Sequence, residues 1–176
     1  MRVITGTAKG RKLKTLEGEN VRPTIERVKE AVFSIIQFEI EGRRVLDLFA
    51  GSGQLGIEAL SRSAVSAVFI DSDKAAVAVI KDNLEATKLT DKATVLQTDA
   101  LSFLQTSNLT FDIAFLDPPY STGILQKVLP PVAAKIAPGG IILCESPFGE
   151  DLPQTLGELK LTRIYRYGKT AVTAYR

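Results

Sequence analysis

The chain has 176 residues, of which 45% are hydrophobic and 24% charged, as expected for one soluble globular domain with a sizeable core. It contains no histidine, which excludes a histidine-based triad, a histidine general base and the usual zinc sites, and we expect no bound metal. It has no apolar run long enough for a membrane helix, and no signal-peptide pattern follows Met1, so we expect a cytoplasmic protein.

Basic residues are concentrated at the two ends of the chain. Residues 1–16 carry five Lys/Arg and residues 160–176 carry five more, without an acid, while residues 17–159 carry the other twelve with all twenty acids. Basic ends on an acidic body are typical of proteins that bind a polyanion. Solvated charge that prevents strand edges from pairing explains the same pattern, and charge alone does not decide between them.

The N-terminal residues 1–20 are predicted to form a small basic hairpin, an appendage rather than a core element, and residues 21–176 to form the main domain. The candidate contacts to a polyanion are Lys9, Arg11, Lys12 and Lys14. A helix with an apolar stripe from Ile25 to Ile36 should follow, with Thr24 as its N-cap. We expect this helix to bring Arg22 and Thr24 near the mouth of the glycine turn described below.

From Arg43 onward, strand-like and helical patterns alternate, which predicts a parallel sheet with right-handed crossovers and helices on both faces. Strands are expected near 44–48, 67–71, 93–97, 111–116 and 140–145, and helices near 54–62, 74–88, 100–105 and 123–136. Pro130 and Pro131 should kink or split the last helix, and 138–140 should form a turn. Residues 159–167 and 171–175 are predicted to close the sheet as an antiparallel hairpin. This is the Rossmann-like layout of the S-adenosylmethionine methyltransferases.

The segment from Val45 to Gly56 predicts a buried strand, a glycine turn and the start of a helix. Gly51, Gly53 and Gly56 fit G-x-G-x-x-G, and Asp71 lies twenty positions after Gly51, so a dinucleotide is one candidate ligand. Asp47 favours another ligand, because a carboxylate facing the site repels a pyrophosphate and attracts a cation. S-adenosylmethionine carries an ammonium and a sulfonium and no phosphate, and a nicotinamide dehydrogenase would need more chain than remains.

Asp117-Pro118-Pro119-Tyr120 follows the fourth predicted strand and should share one crevice with the glycine turn. A carboxylate and a rigid backbone carbonyl could accept both N–H bonds of an exocyclic amine and direct its lone pair at a methyl donor. Tyr120 could stack on the base once it is rotated out of its helix. The tetrapeptide therefore predicts amino methylation of a nucleobase, without specifying the base.

Acidic residues after the other strands are further candidates for the cofactor site. Asp71 is placed for the ribose hydroxyls, and Asp99 either meets the adenine amino group or caps the next helix. The predicted cofactor contacts are Asp47, Phe49, Gly51, Gly53, Asp71, Ser72, Asp99, Ala100 and Thr24. The single cysteine, Cys144, lies in an apolar run and is expected to be a buried, inert thiol.

Nearly the whole chain resembles the RsmD-type 16S rRNA guanine-N2 methyltransferases. The resemblance lies in the basic residues 2–13, in residues 21–33, in the glycine turn 47–56 with residues 58–62, and in the tetrapeptide 117–120. Two positions depart from the family pattern: Asp71 stands where glutamate is frequent, and Thr7-Ala8 where an aromatic is common.

The resemblance implies methyl transfer from S-adenosylmethionine to N2 of a guanine in 16S rRNA, with the small ribosomal subunit or its assembly intermediate as substrate. It also implies that the N-terminal hairpin binds RNA, and we expect a monomer. A DNA adenine-N6 methyltransferase is an alternative, because the same tetrapeptide serves that reaction, although the chain leaves no room for a DNA-recognition domain. A non-catalytic RNA-binding assembly factor is a third possibility.

Overall fold

The computed structural model describes residues 1–16, 23–119 and 123–176, with the side chains of residues 23–25 left out. Across these ranges the helices are α1 (Pro23–Ile35), α2 (Gln54–Ser61), α3 (Lys74–Thr87), α4 (Ala100–Thr106) and α5 (Ile124–Ala133). The strands are β1 (Arg44–Asp47), β2 (Ser66–Asp71), β3 (Ala93–Gln97), β4 (Phe111–Leu116), β5 (Ile136–Pro147), β6 (Thr155–Leu156), β7 (Leu159–Tyr167) and β8 (Thr170–Tyr175). None of the helices described is long and apolar enough to cross a membrane.

Within the described ranges the strands form one sheet in the order β3-β2-β1-β4-β5-β8-β7-β6. The first five are parallel, whereas β8 pairs antiparallel with β5 and with β7. The predicted sheet with its C-terminal hairpin is therefore confirmed. From β1 the chain proceeds outward to β2 and β3, then returns to β4 on the other side of β1. Such a switch point is where open α/β sheets bind their ligands.

The sheet is covered on both faces by buried apolar side chains. Along β1, Val45 belongs to the cluster that includes α1, α2 and α3, while Leu46 belongs to the cluster with α4 and α5. Alternate residues of a strand face opposite sides, so a short central strand contributes to both clusters. Burial on both faces explains why Val45 and Leu46 are both apolar, with Asp47 as the polar end of the strand.

Helix α2 packs very closely on the sheet at Gly56. A Cβ atom at this position would lie 2.3 Å from the Phe69 ring on β2. Only glycine permits that approach, so the last glycine of the motif sets the packing of the helix on the sheet. This contact fixes α2 and therefore the glycine turn from which it starts.

The N-terminal segment, residues 1–16, differs from its prediction. It contains a single antiparallel bridge between Arg2 and Lys12 instead of two strands. Val3, Ala8 and Leu13 are buried in the core cluster with α1, α2 and α3. The expectation of an appendage outside the core is therefore wrong for these residues. The boundary between residues 20 and 21 falls outside the described ranges and remains a prediction.

Several local predictions also need correction. Helix α1 starts at Pro23, so Thr24 lies inside its first turn and is not its cap. Residues 138–140, expected as a turn, lie within β5 as a bulge, where the pairing with β4 passes from Phe111–Ile136 to Ile113–Ile141. Helix α5 includes both prolines in its last turns and ends at Ala133 without being split. Cys144 is buried as predicted, and burial raises the pKa of its thiol to about 12.

Candidate active site

One cavity of about 720 Å³ lies at the carboxyl ends of the parallel strands. Its volume is typical of a small-molecule site. Asp47 at the end of β1 and Asp117 directly after β4 both line it, and β1 and β4 are neighbours with Asp47 in register with Phe115. The glycine turn and the Asp-Pro-Pro segment thus open onto the same space, as the sequence predicted.

The glycine turn is held by hydrogen bonds from the neighbouring strand. The Gly51 amide donates to Asp71 Oδ2 at 2.8 Å, and the Asp73 amide donates to Asp71 Oδ1 at 2.9 Å. Gly51 and Gly53 have φ angles of 54° and 79°, in the left-handed region that favours glycine. Gly51 lines the cavity, whereas Gly53 packs against Ile80 and Ile57 behind it. The left-handed φ angle of Gly53 shapes the turn, and its contact with the cofactor remains a prediction.

Asp47 is almost completely buried, and the residue lines the cavity. Its Oδ2 accepts the amide of Gly56 in the first turn of α2 at 2.9 Å. Burial raises the pKa of Asp47 to about 7, with a contribution from the nearby Asp71 and opposition from the Gly56 bond. A positive charge in the cavity would favour the ionised form, so the site as built suits a cationic ligand.

The other predicted cofactor residues lie around the same space. Phe49, Asp71, Ser72, Asp99 and Ala100 all line the cavity. Asp99 is also the N-cap of α4: its Oδ1 accepts the Ser102 amide at 3.0 Å, and hydrogen bonding from Ser102 lowers the pKa of Asp99. The two roles considered for Asp99, helix cap and site residue, are thus compatible.

Asp117, Pro118 and Pro119 line the side of the cavity next to α5. Tyr120 and Arg22 fall outside the described residues, and only the backbone of Thr24 is described, so their predicted roles remain predictions. In the ranges that are described, no group of three Asp, Glu or Cys side chains could hold a metal ion.

The cavity has further lining residues that the sequence analysis did not name as site residues. The most informative are Leu16, Gln54, Thr98, Leu101 and Ile124. Gln54 directly follows the glycine turn, and Thr98 directly precedes Asp99. Their positions after strand ends could therefore have identified them as site residues. Gln54 Oε1 is buried and has no hydrogen-bond partner among the described atoms. A buried acceptor without a donor is costly, and a ligand amine or hydroxyl group could satisfy it.

The four predicted RNA contacts in the N-terminal segment, Lys9, Arg11, Lys12 and Lys14, are all exposed. Glu58 of α2 holds the backbone of this segment in place. Glu58 accepts the amides of Ile4 at 2.8 Å and Thr5 at 2.9 Å. It also pairs with Lys29 at 3.1 Å, and both of these side chains are buried. The exposed charges are therefore carried by a backbone segment that is anchored to α2.

The same segment is joined to the glycine turn through Asn83 on α3. Asn83 accepts the Lys14 amide at 2.7 Å and donates to the carbonyls of Lys14 at 3.0 Å and Ser52 at 2.9 Å. Two residues further on, Leu16 lines the cavity. The basic segment thus reaches the rim of the candidate site.

The family model described as "conserved hypothetical protein 95" matches residues 1–176, the whole chain. The ribosomal RNA small subunit methyltransferase D of Escherichia coli is 35% identical over 178 residues, covering 100% of this chain and 89% of the relative. The chain belongs to the RsmD family. The resemblance found from the sequence motifs is therefore confirmed.

Solved structures agree with membership of the RsmD family. The Escherichia coli protein yhhF superposes with a TM-score of 0.89 at 35% identity, covering 99% of this chain and 96% of that one. The Thermus thermophilus 16S rRNA N2 G1207 methyltransferase RsmC, solved with AdoMet and guanosine, gives a TM-score of 0.74 at 28% identity, over 90% of this chain and 44% of that one. The fold is that of the S-adenosylmethionine-dependent methyltransferases.

Proposed function

We propose that this protein transfers a methyl group from S-adenosylmethionine to the exocyclic N2 amine of a guanine in 16S rRNA. The substrate is the small ribosomal subunit or its assembly intermediate, and the protein acts in the cytoplasm as a monomer. The observation that carries the proposal is that Asp47 and Asp117 line one cavity at the β1–β4 switch point. Relatives and neighbours that act on small-subunit rRNA support it.

The cavity fits the cofactor that the family implies. Its volume of about 720 Å³ is adequate for a molecule of this size, and Asp47 and Asp71 provide negative charge. Gln54 Oε1 lacks a donor among the described residues, as expected of a group that meets a ligand. When bound, S-adenosylmethionine supplies the electrophilic methyl group. The protein binds and orients it through Asp47, the glycine turn and Asp71.

The target amine would be held on the other side of the cavity. In the proposed complex, the Asp117 carboxylate and the Pro118 carbonyl accept its two N–H bonds, which leaves the nitrogen lone pair directed away from both acceptors. The two prolines fix the backbone, so the Pro118 carbonyl is already positioned before the base binds. The nitrogen loses a proton once it carries the methyl group. Asp117 is in hydrogen-bond range of that proton in this arrangement, so no histidine base is required.

Recognition of RNA is assigned to the exposed N-terminal charges and to two residues outside the described ranges. The side chains of Lys9, Arg11, Lys12 and Lys14 would contact phosphates, and the adjoining Leu16 places this segment at the cavity rim. Tyr120 would stack on the extruded guanine, and Arg22 would contact the nearby backbone. Thr24 would support the cofactor from α1.

Methyl transfer from labelled S-adenosylmethionine tests the proposal. Purified small subunits lacking the modification, naked 16S rRNA and duplex DNA are compared as acceptors, and the product nucleoside is identified by mass spectrometry. N2-methylguanosine in rRNA is the expected product. N6-methyladenine in DNA would identify the alternative methyltransferase. Cofactor binding and RNA binding without transfer to any acceptor would identify an assembly factor.

A further inference from the structure

A second exposed basic surface lies where β5 ends and the C-terminal hairpin turns. It is formed by Phe148, which follows β5, together with Arg166 at the end of β7 and Lys169 in the turn before β8. We call these three residues the hairpin platform. The Arg166 guanidinium lies over the Phe148 ring, 4.1 Å from its centre. Phe148 remains 47% exposed, and Arg166 and Lys169 are exposed.

Two hydrogen bonds to backbone carbonyls hold the platform together. The Phe148 amide donates to the Lys169 carbonyl at 2.8 Å, and Arg166 Nε donates to the Gly168 carbonyl at 3.1 Å. Pro147 of β5 is in register with Thr170 of β8, so the loop after β5 and the turn between β7 and β8 project from the same end of the sheet. The stacked pair is therefore a fixed surface feature.

Strand order places the platform next to the proposed target site. Leu116 of β4 is in register with Cys144 of β5, so Pro118 leaves the sheet at the level of Ser146. Strand neighbours are about 4.8 Å apart, which puts β5 one spacing and β8 two spacings from the Asp-Pro-Pro segment. Along the carboxyl edge of the sheet, the proposed cofactor residues follow β1, β2 and β3, and the proposed target residues follow β4. The platform lies beyond β5 on the same edge.

We propose that the hairpin platform binds the single-stranded RNA that flanks the target guanine, with a base stacked on the Arg166–Phe148 pair and Lys169 near a phosphate. Arginine planes and aromatic rings both stack on bases, and unpaired RNA exposes those bases. The charge fits, because the platform presents two exposed cations, Arg166 and Lys169. This inference rests on the proposed function: once a guanine enters the cavity, its neighbours must leave over this edge or over the N-terminal segment.

Variants of the two stacked platform residues, Phe148 and Arg166, test the inference. Phe148→Leu keeps an apolar side chain without a ring, Phe148→Tyr keeps the ring, and Arg166→Gln removes the guanidinium. The matched control is Lys160→Gln, which removes an exposed charge from the same strand β7, about 20 Å away at its other end. Readouts are the Kd for a fluorescein-labelled single-stranded oligoribonucleotide, the KM and kcat for small subunits, and the Kd for S-adenosylmethionine.

Phe148→Leu should raise the Kd for RNA and the KM for subunits by about 5- to 150-fold, the range expected for a lost base stack, with kcat and cofactor affinity retained. Phe148→Tyr should restore binding. Arg166→Gln should also weaken RNA binding, because it removes the guanidinium plane of the stacked pair. Lys160→Gln should behave as wild type. Thermal unfolding of each variant checks that its fold is retained.

Three results would overturn the inference: unchanged RNA binding in Phe148→Leu and Arg166→Gln, an equal loss in Lys160→Gln, or a loss of subunit methylation with unchanged RNA binding. The last result would identify a protein of the subunit as the partner. Failure of the wild-type protein to methylate rRNA would refute the proposed function instead. The oligoribonucleotide measurement still decides the platform in that case, because it requires no methyl transfer.

Discussion

The side chain of Asn83 binds both backbone groups of Lys14, accepting its amide at 2.7 Å and donating to its carbonyl at 3.0 Å. The same amide group donates to the Ser52 carbonyl in the glycine turn at 2.9 Å. One buried residue therefore joins the basic segment to the cofactor side of the site. Asn83 therefore positions both the charges proposed to bind RNA and the glycine turn.

Asn83→Ala should lower the free energy of unfolding by about 2 kcal/mol, because one buried and two part-buried backbone groups lose a hydrogen-bond partner. It should also weaken RNA binding, because residues 14–16 are no longer fixed to α3. Urea denaturation and RNA titration measure the two effects. The control is Asp82→Asn, which removes only the exposed ion pair with Lys14 and should cost less than about 1 kcal/mol. Equal effects of both variants would contradict the assigned role of Asn83.

Glu58→Ala should destabilise the protein by about 3–5 kcal/mol, because Lys29 would be left buried without its carboxylate. Burial already lowers the pKa of Lys29, and Glu58 is the main opposing influence. Lys29→Met should cost less, about 1–2 kcal/mol, since Glu58 keeps Arg62 and two backbone amides. Chemical denaturation gives both values. The reverse order would show that Lys29, and not Glu58, is the main support of residues 1–16.

The sequence predicted best those elements whose conformation is decided locally. Val45, Leu46 and Leu48 are apolar because this segment is buried on both faces of the sheet. The glycines after them are required by left-handed φ angles and by the contact of Gly56 with Phe69. Such requirements are visible in a few consecutive residues. The position of Asp117 beside Asp47 followed from the topology of parallel sheets.

The failed predictions concern contacts between distant parts of the chain. Residues 1–16 looked like an appendage because their pattern is weak, yet Glu58 binds Ile4 and Thr5 more than fifty positions away. Residues 138–140 have turn composition, but Gly140 serves close strand pairing, since its Cβ would lie 2.7 Å from the Asp112 carbonyl. The local sequence of residues 1–16 does not indicate Glu58 as a partner, and that of residues 138–140 does not indicate Asp112.

The affinity for S-adenosylmethionine should depend on pH through Asp47, whose pKa is raised to about 7 by burial. Below pH 7 the carboxyl group is protonated and loses its attraction for a cation, so binding should be roughly tenfold weaker at pH 6 than at pH 8. Calorimetry in two buffers of different ionisation enthalpy should detect proton release on binding. Asp47→Asn should bind weakly at both pH values, without proton release.

The raised pKa of Asp47 also predicts how the stability of the cofactor-free protein depends on pH. The folded protein retains the Asp47 proton up to about pH 7, whereas the unfolded chain loses it near pH 4. The stabilisation from this group is therefore complete below pH 4 and is lost as the pH rises through 7. Asp47→Asn, which can still accept the Gly56 amide, should lack this part of the pH dependence. An identical stability difference between the two proteins at pH 5 and pH 8 would disprove the assignment.

Replacement of exposed charges in the N-terminal segment should weaken RNA binding and flatten its dependence on salt. Lys9, Arg11 and Lys12 are changed to Gln, while Lys14 is kept because its side chain pairs with Asp82. Each lost phosphate contact should reduce the slope of log K against log salt by about 0.7 for single strands. Fluorescence anisotropy at several salt concentrations gives the slope. The control changes three exposed lysines elsewhere, Lys92, Lys127 and Lys160, and the same slope in both triple variants would show a general charge effect.

Asp117→Ala should lose methyl transfer while cofactor affinity is retained, because the carboxylate is proposed to contact the target amine and not the cofactor. A loss of two orders of magnitude or more in kcat is expected when a group that stabilises the transition state is removed. The matched control is Asp112→Asn at the start of the same strand, which weakens the exposed ion pair with Arg44 far from the cavity and should leave kcat unchanged. Single-turnover transfer to small subunits and calorimetry with S-adenosylmethionine separate the two quantities. Full transfer by Asp117→Ala would remove this residue from the mechanism.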